Sequence, residues 1–463
     1  MQASGFERLR GIYGILSKEG IALKVSFISL GCPKNTVNSE QMLYLVQQAG
    51  HEVVPAPEMA DAVIINTCAF IESATQEAIN TIIEIGELKN TGSLKYLIVT
   101  GCLSQRYQAE ILEELPEVDA MLGISSFGAI ADVLEQLSDN SPIQVFADKN
   151  GPVEEIDRVV STGKNFAYLR IAEGCNNWCS FCIIPAIRGK YRSRHMDAIV
   201  REAEMLAAQG YKELIIIAQD VTRYGEDLYG TKALPTLLKR LCKIDGIQWI
   251  RLHYLYPDAF TEELIDTIAE EEKIVKYLDI PIQHINDKIL KLMNRRGTGS
   301  DIRELFFKLR DRIPGVVLRT SLIAGLPGEG EEEFEELCEF LRYAKIERAG
   351  VFPYSPEDGT RAALMERVDS DVAQHRAELI MEIQQGVMEE FSNNMIGETL
   401  DVIFEDIDEQ SGFGIGRCYA DSPDIDWQVF FDNWHSLTPG TIIPVFIRDS
   451  AEGNLVGSAV TED

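Results

Sequence analysis

The stretch CNNWCSFC, residues 175–182, contains three cysteines, Cys175, Cys179 and Cys182, in the spacing C-x3-C-x2-C. Three thiols this close together do not form a sensible set of disulfides, but three thiolates can bind one metal centre. Iron–sulfur clusters are held by cysteine thiolates, and a loop that supplies only three leaves one iron open for a small molecule. Zinc sites usually have four ligands arranged as two pairs, and ferredoxin sequences supply four cysteines. The spacing therefore predicts a three-cysteine iron–sulfur site.

The cysteine loop lies near the start of a long α/β region, residues 163–395. Strands are predicted at 166–171, 213–218, 248–254, 275–280, 316–322 and 348–353, with helices between them. Six βα repeats are too few for a closed eight-stranded barrel, so we expect an open (β/α)6 partial TIM barrel. Active sites of such barrels lie at the carboxyl ends of the strands. The cysteine loop follows the first predicted strand, where this rule places the chemistry.

A second set of three cysteines lies in residues 24–140, which also read as a parallel α/β domain. Cys32, Cys68 and Cys102 each follow a predicted apolar strand. Carboxyl ends of parallel strands meet at one edge, where ligands bind, and neighbouring strands are ~4.8 Å apart. We therefore predict a shared metal site. The alternative is three buried cysteines that pack as small apolar side chains.

The remaining segments complete the predicted domain organisation. Residues 1–23 are predicted to form a short helical extension without a motif, and residues 141–162 a linker rich in turn-forming residues. Residues 396–463 contain short β-rich runs separated by turns, which predict a small antiparallel β-barrel of about five strands. The predicted fold class is therefore α/β, with the small barrel at the carboxyl terminus.

Charge limits the classes of partner. The chain of 463 residues has 43 Lys and Arg against 74 Asp and Glu, a formal net charge of −31. Phosphate backbones repel such a chain unless it carries a basic patch, so nucleic acid is disfavoured as the main partner and a basic partner is favoured. Acidity that only aids solubility is the alternative. No apolar run approaches the ~20 residues that span a bilayer, and scattered charges interrupt any signal peptide. We expect a cytoplasmic protein without a membrane partner.

The cysteine loop on an open (β/α)6 barrel resembles the radical S-adenosylmethionine (SAM) superfamily. The resemblance implies that Cys175, Cys179 and Cys182 bind a 4Fe–4S cluster. It also implies that one electron, from a carrier such as flavodoxin or ferredoxin, cleaves SAM to methionine and a 5′-deoxyadenosyl radical. Matching strand ends and a glycine-rich segment imply SAM contacts, although the latter is also an ordinary strand-to-helix turn. These predicted contacts are Gln219, Asp220, Gln283, Arg319, Gly325, Pro327 and Gly328.

The order of the three domains, over residues 24–463, resembles the radical SAM methylthiotransferases, whose terminal barrel is a TRAM domain. This resemblance implies that Cys32, Cys68 and Cys102 hold a second 4Fe–4S cluster, which carries or receives the inserted sulfur. One branch of the family modifies tRNA adenosine, and another modifies an aspartate of the small-subunit ribosomal protein S-twelve. The tRNA branch typically has Gln-Met where Pro33 and Lys34 stand.

The segment 416–426 also resembles the barrel of the ribosomal-protein branch, although Cys418 stands where a hydroxyl is common. The barrel region 396–463 has 14 acidic residues against two basic ones. This charge suits a basic ribosomal protein, in the small subunit or in an assembly intermediate. The leading hypothesis is methylthio transfer to the aspartyl β-carbon of protein S-twelve. The alternatives are a tRNA adenosine methylthiotransferase and a non-enzymatic iron–sulfur carrier.

Overall fold

The computed structural model describes residues 22–137, 141–163, 165–435 and 437–460. Almost all of the predicted amino-terminal extension lies outside these residues. Three sheets organise the described chain, two open and parallel and one closed into a barrel. No helix in the described residues is long and apolar enough to cross a membrane.

The first sheet has six strands in the order β2-β1-β3-β4-β5-β6, and every pair is parallel. Its strands are β1 Lys24–Ser29, β2 Glu52–Val53, β3 Ala62–Thr67, β4 Tyr96–Gly101, β5 Ala120–Leu122 and β6 Ile143–Val145. Its helices are α1 Pro33–Gln48, α2 Glu72–Thr91, α3 Cys102–Tyr107, α4 Ala109–Glu114 and α5 Ile130–Gln136. Strand β6 lies inside the predicted linker. The sequence did not indicate it, because three residues are too few to show the periodicity of a strand.

Apolar side chains cover both faces of the central strands of this sheet. Val63 and Ile65 pack on one face with Ile82 of α2, and Ile64 packs on the other face with Met42 of α1. Strands that are buried on both faces have continuous apolar sequences, which is the pattern expected of a parallel sheet flanked by helices.

The second sheet has six parallel strands in the order β14-β13-β12-β11-β10-β7 and remains open. Its strands are β7 Phe166–Arg170, β10 Glu213–Ile217, β11 Trp249–Leu252, β12 Ile274–Asp279, β13 Val317–Ala324 and β14 Arg348–Pro353, and a short pair is formed by β8 Ala172–Glu173 and β9 Arg192–Ser193. Its helices are α6 Ile184–Arg188, α7 Met196–Ala208, α8 Glu226–Tyr229, α9 Leu234–Leu241, α10 Glu262–Glu270, α11 Asp287–Leu292, α12 Gly299–Arg312, α13 Glu331–Ala344 and α14 Ser370–Asn393. The predicted partial barrel is confirmed.

The two faces of the second sheet pack against different parts of the molecule. Leu214 and Ile216 face the surrounding helices. Ile215 and Ile217 point to the opposite face, called the inner face below, where they contact Val37 of α1. The first domain therefore covers part of the inner face, next to β7.

The carboxyl-terminal strands form a closed barrel in the order β15-β16-β17-β19-β18. They are β15 Thr399–Ile407, β16 Gly414–Cys418, β17 Val429–Asp432, β18 Ile442–Ala451 and β19 Asn454–Ala459. Four pairs are antiparallel, and β17 and β19 are parallel. A closed ring of five strands cannot alternate in direction throughout, so one parallel pair is a consequence of closure.

The terminal barrel packs against the amino-terminal half of the inner face. Trp249, Val275 and Val317 of the second sheet share an apolar core with Phe404 and Phe431 of the barrel. Charged side chains seal the same interface: Arg417 donates to Glu213 at 2.8 Å and Arg348 donates to Asp421 at 2.8 Å. The carboxyl ends of the strands, at the opposite end of the sheet, are left for the predicted site.

Candidate functional site

The first three predicted ligands lie at one edge of the first sheet. Cys32 precedes α1, Cys68 follows β3, and Cys102 begins α3 directly after β4. Strands β1, β3 and β4 are neighbours, and the strand order reverses between β1 and β3. Crevices at such reversal points are the usual ligand sites of open α/β sheets. The structure therefore brings the three cysteines, called the first trio below, to one crevice.

Glycine keeps the loops of the first trio close together. A Cβ atom on Gly31 would lie 2.6 Å from the Cβ of Cys68, and the φ of Gly31 is +89°. Only glycine adopts this backbone without strain while leaving room for the neighbouring cysteine.

Two cations adjust the charge of the first trio. Burial would raise the pKa of Cys32, but Lys34 and Arg188 outweigh it and place this pKa below its ordinary value. Burial raises the pKa of Cys68 to about 11. Burial also raises the pKa of Cys102, and the guanidinium of Arg188, 3.4 Å from its Sγ, opposes the rise. The cations favour the thiolate form that binds metal.

The second trio, Cys175, Cys179 and Cys182, follows β7 and the short strand β8. The loop begins at Gly174, whose φ is +79° and whose Cβ would lie 2.1 Å from the carbonyl oxygen of Lys190. Cys179 contacts Arg295 at 3.6 Å. Burial raises the pKa of Cys175 to about 11. The loop is thus held at its start by the Lys190 backbone and at Cys179 by Arg295.

The donor atoms of both trios fit an iron–sulfur cluster. All six thiols are free, and sulfur is the donor of such clusters. Each trio supplies three thiols, so the chemistry of the donor atoms suits a cluster. Among the residues that the structure describes, no group of three or more His, Cys, Asp or Glu side chains is placed to bind a single metal ion.

A buried charge network connects the first trio to Glu173, two residues before the first cysteine of the second trio. Glu173 accepts hydrogen bonds from Arg188 at 2.9 Å, Arg170 at 3.1 Å and Gln219 at 2.8 Å. Arg188 also donates to the amide oxygen of Asn35 at 2.6 Å. Burial would raise the pKa of Glu173, but Arg188 and Arg170 lower it to about 2. One arginine from the second domain therefore contacts the first trio directly.

Three of the predicted SAM contacts lie at strand ends near the second trio. Gln219 and Asp220 follow β10, and the side-chain oxygen of Gln219 is buried without a hydrogen-bond partner in the described structure. Asp220 accepts from Asn177 of the cysteine loop at 2.9 Å, and burial raises its pKa. Gln283 follows β12 with a left-handed φ of +70°. Their contact with SAM stays a prediction.

The other predicted contacts already have protein neighbours. Arg319 lies on the inner face, where it donates to Asp279 at 2.8 Å. A Cβ on Gly325 would lie 2.3 Å from the Cβ of Ala373 in α14, and one on Gly328 would lie 2.6 Å from Leu292. Pro327 is buried. Close packing of helices explains these glycines, and SAM contact by the four residues stays a prediction.

The sequence reasoning missed two tyrosines at the same edge. Tyr254 lies beneath the ammonium of Lys34, 3.5 Å from its ring centroid. The hydroxyl of Tyr256 is 3.8 Å from the Sγ of Cys179, and the guanidinium of Arg295 lies over its ring. Their position directly after β11 is the signal that points to them, because the carboxyl edge of such a sheet carries the site.

Comparison with known protein families matches three separate parts of the chain. Residues 24–123 match the uncharacterized protein family UPF0004, residues 169–341 match the radical SAM superfamily, and residues 396–460 match the TRAM domain. The radical SAM methyltransferase TsrM from Kitasatospora setae, solved with cobalamin and a 4Fe–4S cluster, has a similar fold. Its TM-score is 0.54 at 15% identity, over 73% of this chain and 77% of TsrM.

Whole-length relatives are much more similar. The ribosomal protein uS12 methylthiotransferase RimO of Lachnoclostridium phytofermentans is 48% identical over 94% of this chain and 100% of its own length. The RimO protein of Thermoanaerobacter sp. is 47% identical over 94% of this chain and 99% of its own length. At this identity and coverage, the chain belongs to the RimO family of radical SAM methylthiotransferases.

Proposed function

We propose that this chain transfers a methylthio group to the β-carbon of an aspartate in ribosomal protein uS12. In this proposal Cys175, Cys179 and Cys182 hold the 4Fe–4S cluster that binds SAM, and the first trio holds a second 4Fe–4S cluster. The observation that carries the proposal is the pair of three-cysteine loops, one at the carboxyl edge of each parallel sheet, with the buried Arg188–Glu173 pair reaching Cys102 of the first trio.

Bound clusters and SAM supply the one-electron cleavage, the hydrogen abstraction and the sulfur, and the protein supplies orientation and protection. The terminal barrel covers the amino-terminal half of the inner face, and α1 covers the side next to β7. These contacts cover parts of the inner face outside the edge that carries the two trios, and exclusion of water from such a site protects reactive species from side reactions.

The surface charge of the terminal barrel supports a basic protein substrate. Both arginines of the barrel are paired with acids: Arg417 with Glu213 and Glu405, and Arg448 with Asp432. The described barrel surface therefore has no unpaired arginine for a phosphate backbone. Acidic surfaces attract basic partners, which favours uS12, in the small subunit or in an assembly intermediate, over tRNA. A flavodoxin or ferredoxin is the proposed electron donor.

Metal analysis tests the two-cluster proposal. Anaerobically purified protein is compared with Cys32→Ala, with Cys182→Ala, and with Cys242→Ala as a matched control outside both trios. We expect each trio variant to lose about half of the iron and sulfide, and the control to lose none. Full iron content in Cys32→Ala would remove the second cluster and the sulfur-insertion step with it.

Product analysis tests the substrate. Reconstituted protein, SAM and reductant are incubated with a synthetic peptide from the substrate loop of uS12, and the peptide mass is measured. SAM cleavage without the mass of one methylthio group on the peptide would refute the substrate assignment. Filter binding of tRNA over a salt series distinguishes the tRNA alternative, which requires tight and salt-sensitive binding. A non-enzymatic carrier would contain clusters and leave SAM intact.

A further inference from the structure

Lys34 differs from the other buried cations of the described chain. Ten Lys and Arg side chains are buried there, and eight of them form ion pairs with carboxylates. Lys34 and Arg295 form none with a described carboxylate. Arg295 is nevertheless hydrogen-bonded, because it donates to the carbonyl of Pro281 at 2.6 Å and to Cys179. Lys34 is the buried cation whose principal described neighbour is an aromatic ring.

An ammonium group buried without a carboxylate is costly. The ring of Tyr254, 3.5 Å from the Lys34 nitrogen, offsets part of this cost through a cation–π contact. The Tyr254 side chain and the nearby Cys32 thiol are its described partners, and no described carboxylate pairs with it, so N–H donors of the ammonium remain for an anionic ligand. Arg295 over Tyr256 repeats the arrangement beside the second trio, but two of its N–H donors already bond to Pro281 and Cys179.

The position of Lys34 lies between the two trios. Lys34 is two residues after Cys32, and its partner Tyr254 is two residues before Tyr256, whose hydroxyl contacts Cys179 at 3.8 Å. The short segment 254–256 therefore touches Lys34 at one end and a ligand of the second trio at the other. In the proposed function, an anion bound to Lys34 would lie between the SAM-binding site of the second trio and the sulfur-carrying site of the first trio.

Tyr254 is held rigidly in this position. Its φ of +62° is rare for an aromatic residue. Two hydrogen bonds fix it there, because its backbone N–H donates to Asp279 at 3.1 Å and its carbonyl accepts from Val221 at 3.1 Å. Strained backbone that the surroundings hold in place is typical of preorganised sites.

We propose that Lys34 binds the carboxylate of the substrate aspartate and thereby positions the β-carbon for reaction. The β-carbon is bonded directly to the carboxylate carbon, so an ion pair at Lys34 fixes the reacting C–H within one bond of an anchored group. Such fixing of a reacting group lowers the entropic cost of the step. The inference rests on the proposed function, since it requires an aspartyl substrate. Lys34 is thus assigned as the residue that distinguishes an aspartate from a neutral side chain.

Peptide binding without turnover tests the proposal. Holoenzyme with SAM and no reductant is titrated with fluorescent uS12-loop peptides that carry either the target Asp or Asn at that position. We expect wild type to bind the Asp peptide roughly 10- to 100-fold more tightly than the Asn peptide, as for a charge-assisted hydrogen bond. Lys34→Met should bind both peptides equally, and Lys34→Arg should restore most of the preference.

Controls separate the possible failures. Lys276→Met removes a half-buried lysine that bonds to carbonyls at the end of α10, and it should keep the preference of wild type. If Lys34 only balanced cluster charge, Lys34→Met would shift the reduction potential of the first-trio cluster and keep the Asp-to-Asn ratio, which overturns the proposal. Equal binding of both peptides by wild type overturns it without any variant. Wild type that neither binds nor modifies the Asp peptide refutes the proposed function instead.

Discussion

Glu213 is predicted to hold the terminal barrel on the radical SAM core. Its fully buried carboxylate pairs with Arg251 at 2.7 Å and with Arg417 of the barrel at 2.8 Å. Glu213→Gln removes the charge and leaves two buried guanidinium groups without it. Breaking a buried pair in this way costs about 3–5 kcal/mol.

The pKa of Glu213 gives a second measure of the same interaction. Burial would raise this pKa, but Arg417 and Arg251 lower it from 4.5 to about 2. This difference corresponds to roughly 3 kcal/mol. Because the folded pKa lies below the unfolded one, the stabilisation is present above about pH 4.5 and is lost as the pH falls towards 2.

Hydrogen exchange of β16 measures the docking directly, because Arg417 lies in that strand. We expect Glu213→Gln to accelerate exchange in β16 on the order of a hundredfold at neutral pH, since local opening becomes easier by about 3 kcal/mol. Glu390→Gln is the matched control, because it breaks an exposed pair with Lys345 and such pairs contribute about 0–1 kcal/mol. Unchanged exchange in β16 of Glu213→Gln would show that this network does not hold the barrel.

Three further changes have defined outcomes. Gly174→Ala forces a Cβ to within 2.1 Å of the Lys190 carbonyl oxygen, so we expect loss of about half of the protein iron, measured by metal analysis; full iron loading would contradict the packing argument. Arg188→Met leaves Glu173 without its closer arginine and should destabilise the protein by about 3–5 kcal/mol. Thermal unfolding of the metal-free chain measures this loss, and Arg240→Met, which breaks an exposed ion pair, is the control. Burial lowers the pKa of His253 from 6.5 to about 3. As the pH falls from about 6.5 towards 3, the unfolded chain takes up a proton on this histidine and the folded chain does not, so the folded state loses stability over that range. His253→Gln should therefore show a shallower loss of β16 protection on the acid side, and an unchanged pH profile would refute this.

Much of the candidate site could be predicted because its signals are local in sequence. Each of Cys32, Cys68 and Cys102 follows an apolar strand, and parallel pairing then brings all three to one edge. This inference needs only strand direction and neighbour order. The C-x3-C-x2-C spacing is similarly local. The periodicity of strands and helices was sufficient for both parallel sheets, since strands buried on both faces have continuous apolar runs.

Contacts between domains could not be predicted, because they join residues far apart in sequence. Arg319 illustrates the limit: its position on β13 suggested a ligand contact, but the structure pairs it with Asp279 and places it 3.9 Å from Asp426 of the terminal barrel. Lys34 illustrates the opposite case, since it read only as a branch marker until Tyr254 was placed beneath it. The hydrophobic periodicity of a strand or helix shows which face is buried, but not which distant element covers that face.

Backbone strain occurs at the same edge, which carries three of the nine residues other than glycine with positive φ in the described chain. Trp178, Tyr254 and Gln283 all have left-handed φ values, between +55° and +70°. Each of the three follows a strand of the second sheet, β7, β11 and β12, at its carboxyl end. Such conformations cost about 1–3 kcal/mol each for residues other than glycine and persist only where neighbours enforce them. Glycine at these positions would relieve the backbone strain but would also remove the side chain. The strain therefore accompanies the placement of an indole, a phenol and an amide at one edge. The fold therefore holds these three side chains at the edge at the expense of backbone strain.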